Sequence, residues 1–354
     1  MNRKATALDV AKLAGVSRSA VSLVLNGRGD GNVALESQRR IREAASALSY
    51  SPNAIALSLR NQRTRVIGIV SDHVVVSAFD GNIIGGADDV ARSCDFVTVA
   101  MDTEFDAARD ESAVEILLDR QVEGLMYVTE GLKPLDVPPG MLRVPSVLAN
   151  CFDSAPTPAL SHVIPDEVRG GREAADHLLE LGHRDIALVA GPADASAAPL
   201  RVAGYRAAYS GRHLPVREDR ISFAGWDIDD GFHGAMKLLD GVSPAERPTA
   251  IMAGNDRVAI GVMLAAARLG LNVPADLSIM GYDDELHIAD TMVPALTTMA
   301  LPLREMGAAA MTQLLERIEG DGGSEPARVD GLETLVPCRL IVRESTAPVP
   351  AGRS

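Results

Sequence analysis

Cysteine is scarce in this chain: three in 354 residues, at Cys94, Cys151 and Cys338, far apart from one another. That number and spacing exclude a disulfide framework and a closed zinc site, and suit reduced thiols in a cytoplasmic protein. Long apolar runs are missing as well. No stretch reaches the roughly 18 residues that a membrane helix needs, and Asp9 and Lys12 interrupt anything resembling a secretory core in the basic opening residues. Neither a G-x-S-x-G elbow nor a G-x-G-x-x-G loop occurs, and the glycine-rich GNIIGG has the wrong order for a nucleotide loop. Asp283, Asp284 and Glu285 bunch as a metal site might, but no His or carboxylate partner is spaced to close one. The expectation is therefore a protein that is not an enzyme and holds no cofactor or metal.

What is present is a globular composition, 47% hydrophobic and 23% charged, in a chain long enough for two or three domains. The net charge of −14 hides a split. Residues 1–65 carry eleven Lys/Arg and four Asp/Glu, a net of +7, while the rest carries −21. A small basic module thus precedes a large acidic body. The first can neutralise phosphates and the second discourages indiscriminate adhesion to DNA.

Residues 1–50 read as three short helices without strands. Leu8, Val10, Ala11, Leu13 and Ala14 form an apolar stripe that ends at Gly15. Ser17 is a natural N-cap for a second helix, with Ala20, Val21, Val24 and Leu25 on one side. A glycine-rich GRGDGN loop leads to a third helix from about Leu35 to Leu48. From Arg65 the pattern becomes alternating strands and amphipathic helices. Strands are expected at Val66–Val70, Phe96–Ala100, Gly124–Val128 and Val147–Ala149, then at Ile186–Ala190, Ile221–Phe223, Ala250–Ala253 and Leu277–Met280. Repeated βα units imply parallel sheets, and two such sets imply two lobes with a ligand cleft at the strands' carboxyl ends.

The run from Asp9 to Asn26 has helix-turn-helix grammar: a first helix, a turn through Gly15, and a second helix whose exposed start can enter a major groove. Arg18 and Ser19 occupy that start, and Arg suits both acceptors of a guanine. Spacing alone leaves an Ala-rich helical hairpin open; the local positive charge favours DNA.

The segment TALDVAKLAGVSRSAVSLVLNG, followed by ALSYSPNAIALSLR, closely resembles the lactose/galactose repressor family of bacterial regulators. Similar segments continue in order through LLDRQVEGLMYV, HLLELGHRDIALVAG, LRVAGYRAAY, RPTAIMAGNDRVAIG, LGLNVPADLSIMGYDD, PALTTMALPLREMG and RLIVREST. The resemblance implies an α/β protein with an all-α helix-turn-helix head and a two-lobed body like a periplasmic binding protein. Its activity would be sequence-specific regulation of transcription, foremost repression, under a small-molecule effector such as a sugar. The implied partners are a near-palindromic double-stranded operator, that effector and a second copy of the chain, with no membrane. The implied domains are the head at 1–50, a hinge helix and linker at 51–63, lobe 1 at 64–162 and 293–325, and lobe 2 at 163–292 and 326–345. Residues 346–354 complete the chain as a disordered tail.

Carried over residue by residue, DNA contacts fall on Thr6, Ser17, Arg18, Ser19, Ser22, Leu23, Asn26 and Tyr50, and on Asn53, Ala56 and Leu59 in the hinge. Leu59 matches the family's minor-groove wedge, an apolar side chain that unstacks and bends the duplex. Effector contacts fall on Arg201 as a clamp, Asp283 as a hydroxyl acceptor, Asn255 and Asp256 as a polar pair, and Trp226 as an aromatic wall. Phe79 and Asn150 complete the pocket from lobe 1. Each has a plainer alternative: a helix cap for Asn255 or Asp256, core for Trp226, a surface ion pair for Arg201. Three departures leave the operator sequence open. Leu23 stands where relatives carry a polar reader, the GRGDG loop is longer, and Ala34 replaces a capping Ser. A transport-type sugar-binding protein, the main rival, has no use for the basic head.

Overall fold

The computed structural model describes residues 5–50, 63–73, 78–155, 159–320 and 331–349. The chain divides into two compact units, Met1–Arg65 and Val66–Ser354. The hinge positions Asn53, Ala56 and Leu59 lie outside the described residues.

In the first unit, α1 (Ala7–Ala14), α2 (Arg18–Leu25) and α3 (Leu35–Ala47) enclose a small core of Val10, Ala11, Ala14, Val21, Val24, Ile41, Ala44 and Ala45. Each boundary has a chemical cause. Thr6 and Asp9 form a reciprocal capping box at the start of α1. Gly15 ends that helix in the left-handed region (φ 65°), a turn that costs a Cβ-bearing residue energy. The Ser17 hydroxyl accepts from the Ala20 amide at 3.1 Å to cap α2. Ala34 gives α3 no side-chain cap, as the sequence implied. The long loop before it is tied instead by Gln38, which is buried. Its amide donates to Asp30 (3.1 Å) and to the Val33 carbonyl (3.0 Å), and its oxygen accepts from Arg42 (3.2 Å).

The second unit contains two six-stranded sheets. Strands β1 (Val66–Ser71), β2 (Val97–Asp102), β3 (Gly124–Leu135), β4 (Ser146–Asp153), β5 (Ser161–Pro165) and β11 (Glu333–Val336) form a parallel sheet in the order β11-β5-β4-β3-β1-β2. The other sheet has the order β12-β10-β9-β8-β6-β7. It comprises β6 (Ile186–Ala190), β7 (Ile221–Phe223), β8 (Ala250–Ala253), β9 (Ser278–Asp283), β10 (Thr297–Ala300) and β12 (Arg339–Ile341), with only β12 antiparallel. Helices α4 (Ala78–Ser93), α5 (Ala107–Asp119) and α10 (Leu303–Gly320) cover the first sheet. The second is covered by α6 (Glu167–Glu180), α7 (Ala197–Gly211), α8 (Ile228–Leu239) and α9 (Asp256–Arg268). Apolar clusters fill both faces of each sheet, which is why the strands read as continuous apolar runs.

Some expectations change. The chain crosses between lobes after β5, after β10 and after β11, so Thr297–Ala300 belongs to the second sheet and Glu333–Val336 to the first. The expected boundaries at 293 and 326 placed both strands in the other lobe; four-residue strands at a crossing carry too little periodicity to be assigned. Nor is the start of the supposed tail loose. Thr346 bonds His177 (3.0 Å), the Ala347 carbonyl bonds His183 (2.9 Å), and the Val349 amide donates to the Leu181 carbonyl at 3.0 Å. The GNIIGG segment lies inside α4 rather than in a loop.

Candidate effector cleft and DNA-reading helix

The carboxyl ends of both sheets open on a cavity of about 420 Å³, within the range of small-molecule sites. Asp72 follows β1, Glu130 and Lys133 lie along β3, and Asn150 sits on β4; opposite them, Trp226 follows β7, Asn255 follows β8 and Asp283 ends β9. Phe79 enters from the first turn of α4. Six of the seven residues carried over as effector contacts therefore line one cavity: Phe79, Asn150, Arg201, Trp226, Asn255 and Asp283.

Asp256 does not. It is fully buried, accepting from the Thr298 hydroxyl (2.6 Å) and the Glu285 amide (2.7 Å), and burial pushes its carboxyl up to about 7. It anchors the loop after Asp283 from behind the wall. Asn255 lines the cavity and is also the helix cap, its oxygen accepting from the Val258 amide of α9 (2.7 Å) while its amide donates to the Trp226 carbonyl (3.1 Å). Trp226 is half-buried, its indole packed directly on Gly191, where a Cβ would meet the ring at 2.2 Å.

Arg201 is neither a free clamp nor a surface ion pair. It is 4% exposed and grips Glu167 with two bonds of 2.8 Å. It also donates to the Gly254 carbonyl, and its guanidinium lies 3.7 Å from the Tyr282 ring centre. Asp283 stands 3.5 Å from the same guanidinium. The pair exists because α6 and α7 touch at glycines: a Cβ on Gly204 would lie 2.1 Å from the Val168 carbonyl oxygen, and one on Gly171 would lie 2.3 Å from that of Arg201. Glu167 escaped the sequence reading, and its only signal was glycines inside two helices.

Asp283 is buried, and burial beside Asp256 and Glu167 holds its carboxyl well above the usual carboxylate range despite Arg201. Both Asp283 (φ 108°) and Asn150 (φ 61°) have left-handed backbones that L residues rarely adopt, strain of a kind that gathers at binding sites. The Asn150 amide donates to the Thr129 (2.9 Å) and Glu130 (3.1 Å) carbonyls.

Phe105, Lys133 and Arg257 are among the lining residues that were not foreseen. Phe105 is 55% exposed at a turn with φ 59°, its ring 4.7 Å from His73 and 5.2 Å from the Lys133 ammonium. Lys133 pairs with buried Asp72 at 2.5 Å, and Arg257 pairs with Glu285 at 2.8 Å. Asp284 pairs with Arg343 (2.8 Å), so the acidic run at 283–285 is taken up by ion pairs and backbone bonds. Another acidic trio, Asp227, Asp229 and Asp230, lies at the start of α8, where Asp227 and Asp230 form a capping box.

In the head, Arg18 and Ser19 are exposed on the first turn of α2, and Arg18 has no acid partner among the described residues. Ser22, Leu23 and Asn26 follow on that helix and its cap, half-buried, with the Asn26 amide donating to the Ser22 hydroxyl at 3.1 Å. Thr6 and Ser17 are exposed and serve as caps, the Thr6 amide and hydroxyl donating to Asp9 at 2.9 and 2.7 Å. Tyr50 packs against the head's core.

Comparison with known proteins agrees with both units. Residues 6–53 match the family described as bacterial regulatory proteins, lacI family, and residues 175–346 match a periplasmic binding protein-like domain. The chain is 32% identical over 350 residues to the HTH-type transcriptional regulator DegA of Bacillus subtilis, covering 98% of this chain and 99% of DegA. It is 35% identical to the ribose operon repressor of Escherichia coli over 319 residues, 89% of this chain and 93% of that one. Among solved structures, the lac repressor dimer bound to operator and an anti-inducer superposes with a TM-score of 0.75 at 28% identity, over 98% of this chain and all of that one. These relatives are transcriptional regulators, not enzymes, and this chain belongs to the lacI family of bacterial regulatory proteins.

Proposed function

We propose that the protein is a homodimeric repressor whose hold on a near-palindromic operator is switched by a sugar bound in the cleft between its lobes. The observation that carries this reading is the cavity itself. Asn150, Asn255 and Asp283 supply hydroxyl-matching groups from two lobes, Trp226 and Phe79 supply ring faces, and the chain also carries an exposed helix-turn-helix. A cavity walled by both lobes changes shape when the lobes move. A ligand that prefers one arrangement shifts the population and, through it, affinity for DNA. In this reading Arg18 and Ser19 read base edges, Leu23 meets an apolar base edge such as a thymine methyl, and Asn53, Ala56 and Leu59 form the hinge contacts. Arg201 acts by holding Glu167 and Asp283 in place more than by gripping ligand.

Selection of genomic fragments by the purified protein tests the proposal. Enrichment of one near-palindromic sequence, released or tightened by a sugar, is the expected result. Enrichment of nothing beyond random DNA would overturn it.

A further inference from the structure

We propose that the cleft selects polyhydroxylated ligands that carry no anionic group, so that its effector is an unphosphorylated sugar and an amino group is tolerated where a phosphate or carboxylate is refused. The inference rests on the sugar reading above and narrows it. It comes from the cavity's charges. Among the described residues three cations face it, Lys133, Arg201 and Arg257, and each is already held by a carboxylate: Asp72 at 2.5 Å, Glu167 at 2.8 Å and Glu285 at 2.8 Å. Two further acids, Glu130 and Asp194, line the same cavity, besides Asp283, whose charged form burial disfavours. Arg201, 3.5 Å from Asp283, is already engaged twice by Glu167.

An anionic ligand would therefore find no cation to spare and would have to break an existing pair to gain one. Two of those pairs have a nearly inaccessible carboxylate, with Asp72 and Glu167 side chains at 2% and 1% exposure. Stripping either of its cation strands a buried charge, which is the costly way to break an ion pair. Two helix starts at the cavity are already taken up or opposed. Asn255 caps α9, and the uncapped start of α7 at Ser196 has Asp194 two residues before it on the same wall. A neutral polyol meets none of these penalties, because carboxylates, amides and ring faces are what hydroxyls and sugar rings use. An ammonium gains from the excess acid.

The test is thermal melting of the full chain at neutral pH with matched series: ribose and ribose 5-phosphate; glucose, glucose 6-phosphate, glucuronate and glucosamine. A neutral or amino member should raise Tm, with its phosphate or acid counterpart weaker by on the order of a hundredfold in apparent affinity. An anionic member that binds as well as its parent overturns the proposal and leaves the sugar reading standing. No shift from any member, in protein that still selects its operator, removes the sugar reading and this proposal together. The double variant Glu130→Gln, Asp194→Asn separates charge from shape: the gap between neutral and anionic members should narrow by roughly tenfold. A gap that stays unchanged would show that these carboxylates do not set it.

Discussion

Arg18 and Arg201 are the same side chain put to opposite uses. Arg18 stands exposed on the first turn of a capped helix with no acid beside it among the described residues, in a module of net charge +7. Arg201 is 4% exposed, doubly bonded to Glu167 and stacked on Tyr282, in a body of net charge −21. An unpaired guanidinium in water loses little by meeting a phosphate or a guanine. One that is buried and paired is part of the wall. The comparison teaches that the head is built to meet anions and the cleft to turn them away.

Salt separates the two regions most strongly. Operator affinity should fall on the order of a thousandfold or more between about 50 and 200 mM salt, since each neutralised phosphate releases counterions. Ligand affinity measured by calorimetry over the same range should change by less than about twofold. Equal salt responses would erase the distinction between the regions.

Substituting the two arginines comes next. Arg201→Ala leaves Glu167 buried without its cation and should destabilise the body by about 3–5 kcal/mol in denaturant melts. Arg18→Ala should leave the melts within about 0.5 kcal/mol and cost about 1–3 kcal/mol of operator discrimination at each half-site. A stable, ligand-blind Arg201→Ala protein would mean that Arg201 is a clamp after all.

That outcome bears on what could be read from the sequence. The head was legible almost to the residue, because Ser17 and Gly15 mark helix ends by local chemistry, although the Thr6–Asp9 box that starts α1 was not read. Both sheets were legible where strands are apolar on two faces, as at Ile186–Ala190. Short strands at the crossings between lobes, Thr297–Ala300 and Glu333–Val336, were not assigned to the right lobe, since their partners are set by topology. The cleft was legible in its residue types but not in its pairing. Nothing in the order of residues says that Glu167 takes up Arg201, or that Asp256 turns inward to hold Thr298 and Glu285.

A smaller effect belongs to Asp80, buried on α4 behind the cavity, where the Ser71 hydroxyl donates to it at 2.7 Å. Burial first, and then the charge of Asp72, push its carboxyl up to about 7 from 3.8. The folded chain therefore keeps a proton that the unfolded chain has released between about pH 4 and 7. Lowering pH through that window adds stability from this group, and above it the native state must bury a charge. Asp80→Asn should be more stable than the parent at pH 8, by on the order of 1–3 kcal/mol, with the gap closing by about pH 4. Opposing contributions from His177 and His183, whose pKa values burial lowers, cancel in that comparison. A gap that does not vary with pH would show that Asp80 is charged throughout.

The central claim is that one molecule couples the cleft to the DNA. Asp283→Asn tests it, because the change is isosteric and leaves the head untouched. Operator affinity is measured by fluorescence anisotropy as sugar is added, for parent and variant. Without sugar the two should agree within about threefold; with sugar the parent's affinity should move by at least about tenfold and the variant's should not move over the same range. A variant that responds as the parent does would contradict the account.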